Sequence, residues 1–505
     1  MSVYPTLAYE AKFDGVNWTD FTADVLQAPA TRGSYGIMGN DALSRIGDTG
    51  KLTFSLYSAT VGYYVPGHAS CRSGFGPGLL IRLRVTYGAK TRTRFYGRIP
   101  TNGIKITPGR LNVNRVEVTV LDWMEQLAIH ELELPEYETS KDVGEVVQLV
   151  INNMPLAPLS TNFYAGASTF DAVFDTTRSS TRALAEIGKA VMSEWGYVYI
   201  RRSSSSDEIL TVEGRNTRNA TPTSMATISN SFRDAAASYN ASKYNRVKAT
   251  VYPRTQDTGY VDLFVLERKI YINVGDTATI DVTYTDPTDA NRRTAGIDMQ
   301  TPASGDYTFN SAEDGDGDDL TANMSVTATY GTTGAHYSLQ NTGARAGWVV
   351  YLRARGIGIY SEEPVSYTAE DATSIAEIGP YLLNIDMKYQ SSIYIAKDFA
   401  DVILSRYKAL NNTSLDSITL VANKSITMMD YFLDVEPGDA VTITEDVTGT
   451  TSELYYVNGI SFEIAPGPLV KFTWHLKQAE LDQGQYWLLG VVGRGEIGTT
   501  ATIGF

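Results

Sequence analysis

At 505 residues the chain exceeds one ordinary core, and its 43% hydrophobic and 20% charged content excludes a disordered polymer; roughly three to four domains are expected. A net charge of −15 argues against general nucleic-acid binding, though not against an acidic conduit through which DNA slides without sticking. The single cysteine, Cys71, excludes an intrachain disulfide framework, and no apolar run approaches the ~18 residues of a membrane span. Residues 1–5 carry neither a basic nor an apolar leader, so a product made in a cytoplasm, without stable membrane insertion, is expected.

In chain order, residues 1–130 read as a first β unit. Leu52, Phe54 and Leu56 alternate with polar residues, as do Leu79, Ile81, Leu83 and Val85, and again Val116, Val118 and Val120. Period-two alternation buries one face of each strand. Strands are predicted at 51–57, 79–85, 95–99 and 115–122, punctuated by turns such as Tyr64-Val65-Pro66-Gly67. A small antiparallel barrel or sandwich is expected. Between Arg72 and Arg115 there is no Asp or Glu, while ten Lys and Arg fall there. One reading is a basic interface, carried by Arg82, Arg84, Arg92, Arg94 and Arg98, that meets an acidic neighbour. The other is a sheet face paired with carboxylates from elsewhere in the fold. The acidic stretch at 131–138 reads as a solvated edge strand ended by Pro135, in preference to a catalytic cluster.

Residues 131–254 read as an α+β unit. Ser140 is the expected N-cap of a helix with Val143, Val146, Val147, Val150 and Ile151 on one face. A second helix from about Ser180 should bury Leu184, Ile187, Val191 and Met192 and end at Gly196. Strands at 197–200 and 209–212 flank a tip at Ser203 to Ser206, and 244–251 reads as a strand returning to a β-domain. Residues 255–372 read as an inserted β-sandwich with strands near 277–284, 325–330 and 347–355. In 373–480, Ala396, Phe399, Ala400, Ile403, Leu404 and Tyr407 form one helical stripe, ended by Asn411-Asn412. Strands follow at 417–421, 440–444, 454–464 and 470–476, with a Pro437-Gly438-Asp439 turn between the first two. Residues 481–505 form a C-terminal segment with Trp487, Leu488, Leu489 and Phe505. It is either an arm that docks on a neighbouring chain or on another component of the same assembly, or a last strand on its own domain. The fold class is mainly β with a few helices.

Chemistry is sparse. His68, His130, His336 and His475 show no metal-ligand spacing, Cys71 has no partner, and no Gly-x-Ser-x-Gly elbow occurs. The run Gly47-Asp48-Thr49-Gly50-Lys51 fails as a phosphate loop, since Leu52 stands where Ser or Thr is needed; a β-turn explains it better. Asp314, Asp316 and Asp318 could wrap calcium, but Asp319 and Ser325 occupy the positions where an EF-hand needs Gly and Glu. A solvated acidic loop is the preferred reading. Trp348, Tyr351, Tyr360 and Tyr367 could form a sugar-binding surface; core packing is the default. No catalytic residue is expected.

The order of elements is informative where no single one is. Trp18-Thr19-Asp20-Phe21-Thr22-Ala23-Asp24-Val25 precedes the strand at 50–56, then come the Tyr64 to Gly67 turn, Pro77-Gly78, Phe95 to Ile99 and Val116 to Asp122. Tyr486-Trp487-Leu488-Leu489-Gly490 and Ile497-Gly498-Thr499-Thr500 close the chain. This succession resembles the phage tail hub and minor tail protein family. The resemblance implies a non-enzymatic structural protein of the virion tail tip, assembled in the host cytoplasm. It implies a homotrimer whose paired tube-like domains offer six similar faces to a six-fold tail tube. Implied partners are the tail tube or distal tail protein, the tip fibre or receptor-binding proteins, the tape measure protein, and genomic DNA in passage. Alternatives are a carbohydrate-binding adhesin that reads glycans through 255–372, a hexameric distal tail protein, and a glycan-degrading tail enzyme.

Overall fold

The computed structural model describes residues 3–479 apart from 110–113, 134, 176–180, 219–221, 240–242, 287, 290–291, 293 and 409–412. The expected C-terminal segment with Trp487, Leu488, Leu489 and Phe505, and the expected helix stop at Asn411-Asn412, lie outside the described residues.

The predicted alternation produces strands Asp48–Tyr57, Leu80–Tyr87, Lys90–Arg98 and Asn114–Leu121. Leu52, Phe54, Leu56, Ile81, Leu83, Val85, Val116, Val118 and Val120 are all buried. The third strand starts earlier than Phe95 because Tyr87 pairs with Lys90 across a tight turn whose Gly88 has φ +58°. A short helix, Met124–Ile129, follows.

These strands do not close into a barrel. They form half of a 15-stranded open sheet that runs on into the last unit. Eleven strands run in the order Asp234–Tyr239, Thr413–Val421, Leu469–Gln478, Thr450–Ala465, Thr31–Gly36, Asp48–Tyr57, Asn114–Leu121, Lys90–Arg98, Leu80–Tyr87, Thr6–Ala11, Thr19–Asp20, and Val25–Leu26, Ile104–Pro108, Ser224–Ser229 and Ala440–Glu445 pair off this path. The barrel expectation fails because Thr31–Gly36 gives its second edge to the last unit instead of to its own. One buried cluster spans both halves, from Leu52, Phe54 and Val118 to Phe462, Phe472 and Trp474.

The middle unit departs from expectation at its caps. The helix Val143–Asn152 is capped by Asp142 in a reciprocal box with Glu145, while Ser140 lies outside it at φ 56°. The helix Ala183–Glu194 ends on a left-handed Trp195 (φ 62°), one residue before Gly196. Ile187 and Val191 are buried as expected, but Ala183 and Ala190 complete the stripe while Leu184 and Met192 stay partly exposed. Tyr197–Arg201 and Ile209–Glu213 form the expected hairpin, with Thr161–Phe163 added in parallel. The described residues of 131–138 form no edge strand. Leu132 is buried, its neighbours make only isolated bridges, and the Pro135 carbonyl accepts from Thr332 N at 3.0 Å.

Arg246–Val251 does not return to the large sheet. It lies between Val365–Glu370 and Leu382–Met387, covered by the helix Ile393–Tyr407. That helix buries all six residues of the predicted stripe. Ser224–Ser229 and Asp234–Tyr239 return instead, pairing with strands of the last unit.

In the inserted segment, Gly347–Ser361 is the axis. Five short strands pair along its two edges, and Thr277–Thr283, Gly334–Asn341 and Met324–Tyr330 form a second sheet. Leu263, Phe309, Tyr337, Leu339 and Leu352 share one core between them. Tyr360 is buried and Trp348 packs on Tyr271 with ring centroids 5.0 Å apart. Tyr367 belongs to Val365–Glu370, outside these two sheets, so the four rings form no common surface.

Candidate functional site: the joint between the first and last β units

The strand Thr450–Ala465 serves two partners on one edge. Its first half pairs with Ala440–Glu445, and residues 459–464 pair with Thr31–Gly36. The changeover is a bulge at Asn458, between Val457 and Gly459, which frees the Asn458 carbonyl to accept from Ile37 N at 2.8 Å. Gly36 crosses there with φ +91°, and a Cβ on it would lie 2.6 Å from the Asn458 carbonyl oxygen. Gly33 leaves room for the Phe462 ring, which occupies the space a side chain would fill. Backbone approach this close requires glycine at Gly36, whereas at Gly33 the neighbour is a side-chain ring.

Beside the joint lies a buried charged pair. Arg94, fully buried, donates to Glu436 Oε1 at 2.5 Å and to the Tyr35 hydroxyl at 2.5 Å. Tyr35 donates to Glu436 Oε1 at 3.1 Å, and Arg202 N donates to Glu436 Oε2 at 3.2 Å. Arg94 and Tyr35 belong to the first unit, Glu436 to the last and Arg202 to the middle, so one pair fastens three. Burial pushes the Glu436 carboxyl up, while Arg94, Arg202 and Arg201 pull it down. Glu436 is presented by the helix Ile426–Asp434 and the turn at Gly438 (φ +92°), where Glu436 N donates to Asp439 Oδ2 at 2.9 Å.

The acid-free basic run finds its carboxylates within the chain. Arg82 meets Glu10 at 2.6 Å and Asp207 at 2.8 Å, and Arg84 lies 3.8 Å from Glu10. Lys90 bridges Asp430 and Asp434 at 2.9 and 2.7 Å, and Arg92 meets Asp434 at 3.0 Å. Arg98 donates to the Gly78 carbonyl at 3.2 Å. Arg94 is therefore no part of a basic surface, because its guanidinium is inside. Sequence reasoning counted the charges but missed Tyr35, Arg202 and Glu436; only the Pro-Gly-Asp turn hinted at the last.

A second pair of acids sits where the middle hairpin meets the first unit. Asp122 Oδ1 accepts from Gly50 N at 2.9 Å and Met124 N at 3.2 Å. Glu208 accepts from Trp123 N at 3.3 Å and Leu159 N at 3.4 Å. Burial pushes Asp122 up to about 6 and Glu208 up to about 7, Glu208 also feeling Asp122; Arg202 pulls both down, and Glu125 adds slightly to Asp122. The folded state thus holds these protons more tightly than the unfolded chain, whose carboxyls titrate near ~4. Their contribution to stability is complete below that value and is lost as pH rises through the folded values. We expect Glu208→Gln to flatten the fall in unfolding free energy between pH 5 and 8 by about 2–3 kcal/mol relative to the parent. Parallel slopes for variant and parent in denaturant titrations would refute this.

The remaining candidates stay apart. His68 Nδ1 accepts from Ser70 N, His130 faces the Asn153 carbonyl, His336 meets Asp281 at 2.8 Å, and His475 faces Ser461, with burial pushing its imidazole down. In the acidic loop, Asp318 meets Arg345 at 2.7 Å, Asp314 accepts from Asp316 N, and the Asn310 amide donates to the Gly315 and Gly317 carbonyls. Among the described residues no group of three His, Cys, Asp or Glu is placed to hold a metal ion, and no helix is long and apolar enough to cross a membrane. Gly47 N donates to the Val198 carbonyl at 2.6 Å and leads straight into the strand Asp48–Tyr57.

No family model matches the chain, and no curated protein does. Among solved structures, the chain is similar to a tail protein from Neisseria meningitidis MC58, at 9% identity and TM-score 0.48, covering 94% of this chain and 96% of that one. It is similar to the 43 kDa tail protein of prophage MuSo2 from Shewanella oneidensis, at 8% identity and TM-score 0.46, covering 94% and 98%. A third is an E. coli component of the type VI secretion system, described as structurally similar to T4 bacteriophage tail proteins. It matches at 9% identity and TM-score 0.39, covering 92% of this chain and 78% of its own. These three solved structures are a tail protein, a prophage tail protein and a secretion-system component described as structurally similar to phage tail proteins.

Proposed function

We propose that the chain is a structural hub of a phage tail tip, in which three copies form a ring that adapts a six-fold tube to a three-fold tip. The observation that carries this reading is the joint. Two β units from opposite ends of the chain lie side by side in one continuous sheet, so each copy offers two neighbouring β faces. Three copies then offer six. The ring would be held by buried interfaces of obligate-oligomer size. Its work is mechanical: it docks the tube or distal tail protein on one side and fibre or receptor-binding proteins on the other. The tape measure protein and then the genome pass through without specific binding, in keeping with the net charge of −15.

Mass photometry of the purified chain under assembly conditions tests this. Three copies are expected. Six would move the chain to a distal ring, and a persistent monomer absent from virus particles would end the proposal.

A further inference from the structure

The strand Asp234–Tyr239 is the margin of the 15-stranded sheet on the side of the last unit. One of its edges pairs with Thr413–Val421, and no described strand pairs with the other. Such an edge presents a row of backbone N–H and C=O groups to any further strand, and folded chains blunt it with lysine, proline, brevity or a cap. Other margins of this sheet are blunted. Thr19–Asp20 is two residues long, Ile104–Pro108 exposes Lys105 and ends on Pro108, and Thr227 N in Ser224–Ser229 donates to the Tyr431 hydroxyl at 3.3 Å. Asp234–Tyr239 reads Asp-Ala-Ala-Ala-Ser-Tyr and has none of these devices. The bulge in its pairing falls at Asp416, in the partner strand.

Its inner face is also left bare. Ala235 pairs with Ile418 and Ala237 with Leu415, so both alanines stand on the core side of the sheet. Ile418 and Leu415 are buried, whereas Ala235 and Ala237 are exposed. The core thus stops one strand short of the margin, over residues that carry only a methyl group.

Residues 480–505 start from beside this margin. Asp234–Tyr239 and Leu469–Gln478 both run antiparallel to Thr413–Val421, hence in one direction, and Tyr239 and Gln478 close the same end of the sheet. The open position beyond Asp234–Tyr239 lies three strand spacings from Leu469–Gln478, about 14 Å. The six residues Glu480-Leu481-Asp482-Gln483-Gly484-Gln485 reach about 20 Å when extended. Next comes Tyr486-Trp487-Leu488-Leu489-Gly490-Val491-Val492, a run without charge or proline in which Trp487, Leu489 and Val491 fall at every second position. Its seven residues match the six of the open edge.

We propose that residues 486–492 add to the open edge of Asp234–Tyr239 in the same chain as an antiparallel strand, with Trp487, Leu489 and Val491 laid over Ala235 and Ala237. The added strand gives the outward backbone groups their partners and carries the core to the margin. A six-residue tether holds this segment at a high effective concentration beside its own edge, which favours it over the segment of a second copy. The inference stands independently of how many copies assemble.

Hydrogen exchange of the full chain, read by mass spectrometry, tests it against a chain ending at Ala479. Amides at 234–239 are expected to exchange about tenfold faster in the shortened chain, with 413–421 changed less. Joint replacement Trp487→Asp and Leu489→Asp in the full chain should speed the same amides without changing circular dichroism, and carries the test should the shortened chain not fold. Isotope-labelled shortened chain mixed with excess full chain separates the sources. Its edge should stay fast; protection gained there assigns the added strand to a second copy and overturns the same-chain pairing. Equal exchange at 234–239 in the full chain and in the variants overturns the proposal altogether.

Discussion

Gly36→Val should destabilise the chain by about 3–4 kcal/mol and open the seam between its first and last β units. Two penalties add. A β-branched residue at φ +91° suffers left-handed strain of about 1–2 kcal/mol. Its Cβ would also lie 2.6 Å from the Asn458 carbonyl and 2.9 Å from Gly459 Cα, and backbone that close must shift, at about 1–3 kcal/mol. Gly15 provides the control, since it has φ +80° but nothing within 4 Å of the place a Cβ would take. Gly15→Val should therefore lose only the strain part. Denaturant midpoints separate the two, and hydrogen exchange should speed up at residues 31–36 and 459–464 in the Gly36 variant alone. Equal losses for both variants would show that the close crossing contributes nothing.

The second large effect belongs to Arg94 and Glu436. Removing either partner leaves a buried charge without its counter-ion, which costs about 3–5 kcal/mol. Arg94→Met strands Glu436 with the Tyr35 hydroxyl and the Arg202 amide; Glu436→Leu strands Arg94 with Tyr35 and the Leu433 carbonyl. The double variant removes both charges together, so its loss should fall well below the sum of the single losses. A coupling of about 2 kcal/mol or more is expected from the cycle in urea unfolding. Additive losses would mean that the two charges do not depend on each other.

How much of this was legible differs from element to element, for physical reasons. Strands facing one core wrote their alternation plainly, as at Leu52, Phe54 and Leu56, and the stripe from Ala396 to Tyr407 is fully buried. The helix Ile426–Asp434 was also readable, since Ser425 caps it and Met428, Met429, Phe432 and Leu433 share a face, but the neighbouring strand and turn signals masked it. Asp142 and Glu145 spell a capping box that outranks Ser140. By contrast, Thr31–Gly36 has Tyr35 as its one large apolar residue and two glycines, so nothing local marks it as a strand. Asp234–Tyr239 is largely exposed and rich in alanine. Both exist because a distant strand supplies the partner edge. The same holds for the joint's charges. The basic run was visible, but its carboxylates at Glu10, Asp207, Asp434 and Glu436 are assigned only by the fold.

The seam also sets a timetable for biosynthesis. Arg32 meets Glu463 across 431 positions of chain, so the open edge of the early strand waits until that much more chain has been made. At translation rates of about 5–20 residues per second, that wait is about 20–90 s. During it the nascent polypeptide exposes a strand edge that a ribosome-associated chaperone, or a sister chain on the same polysome, can capture first.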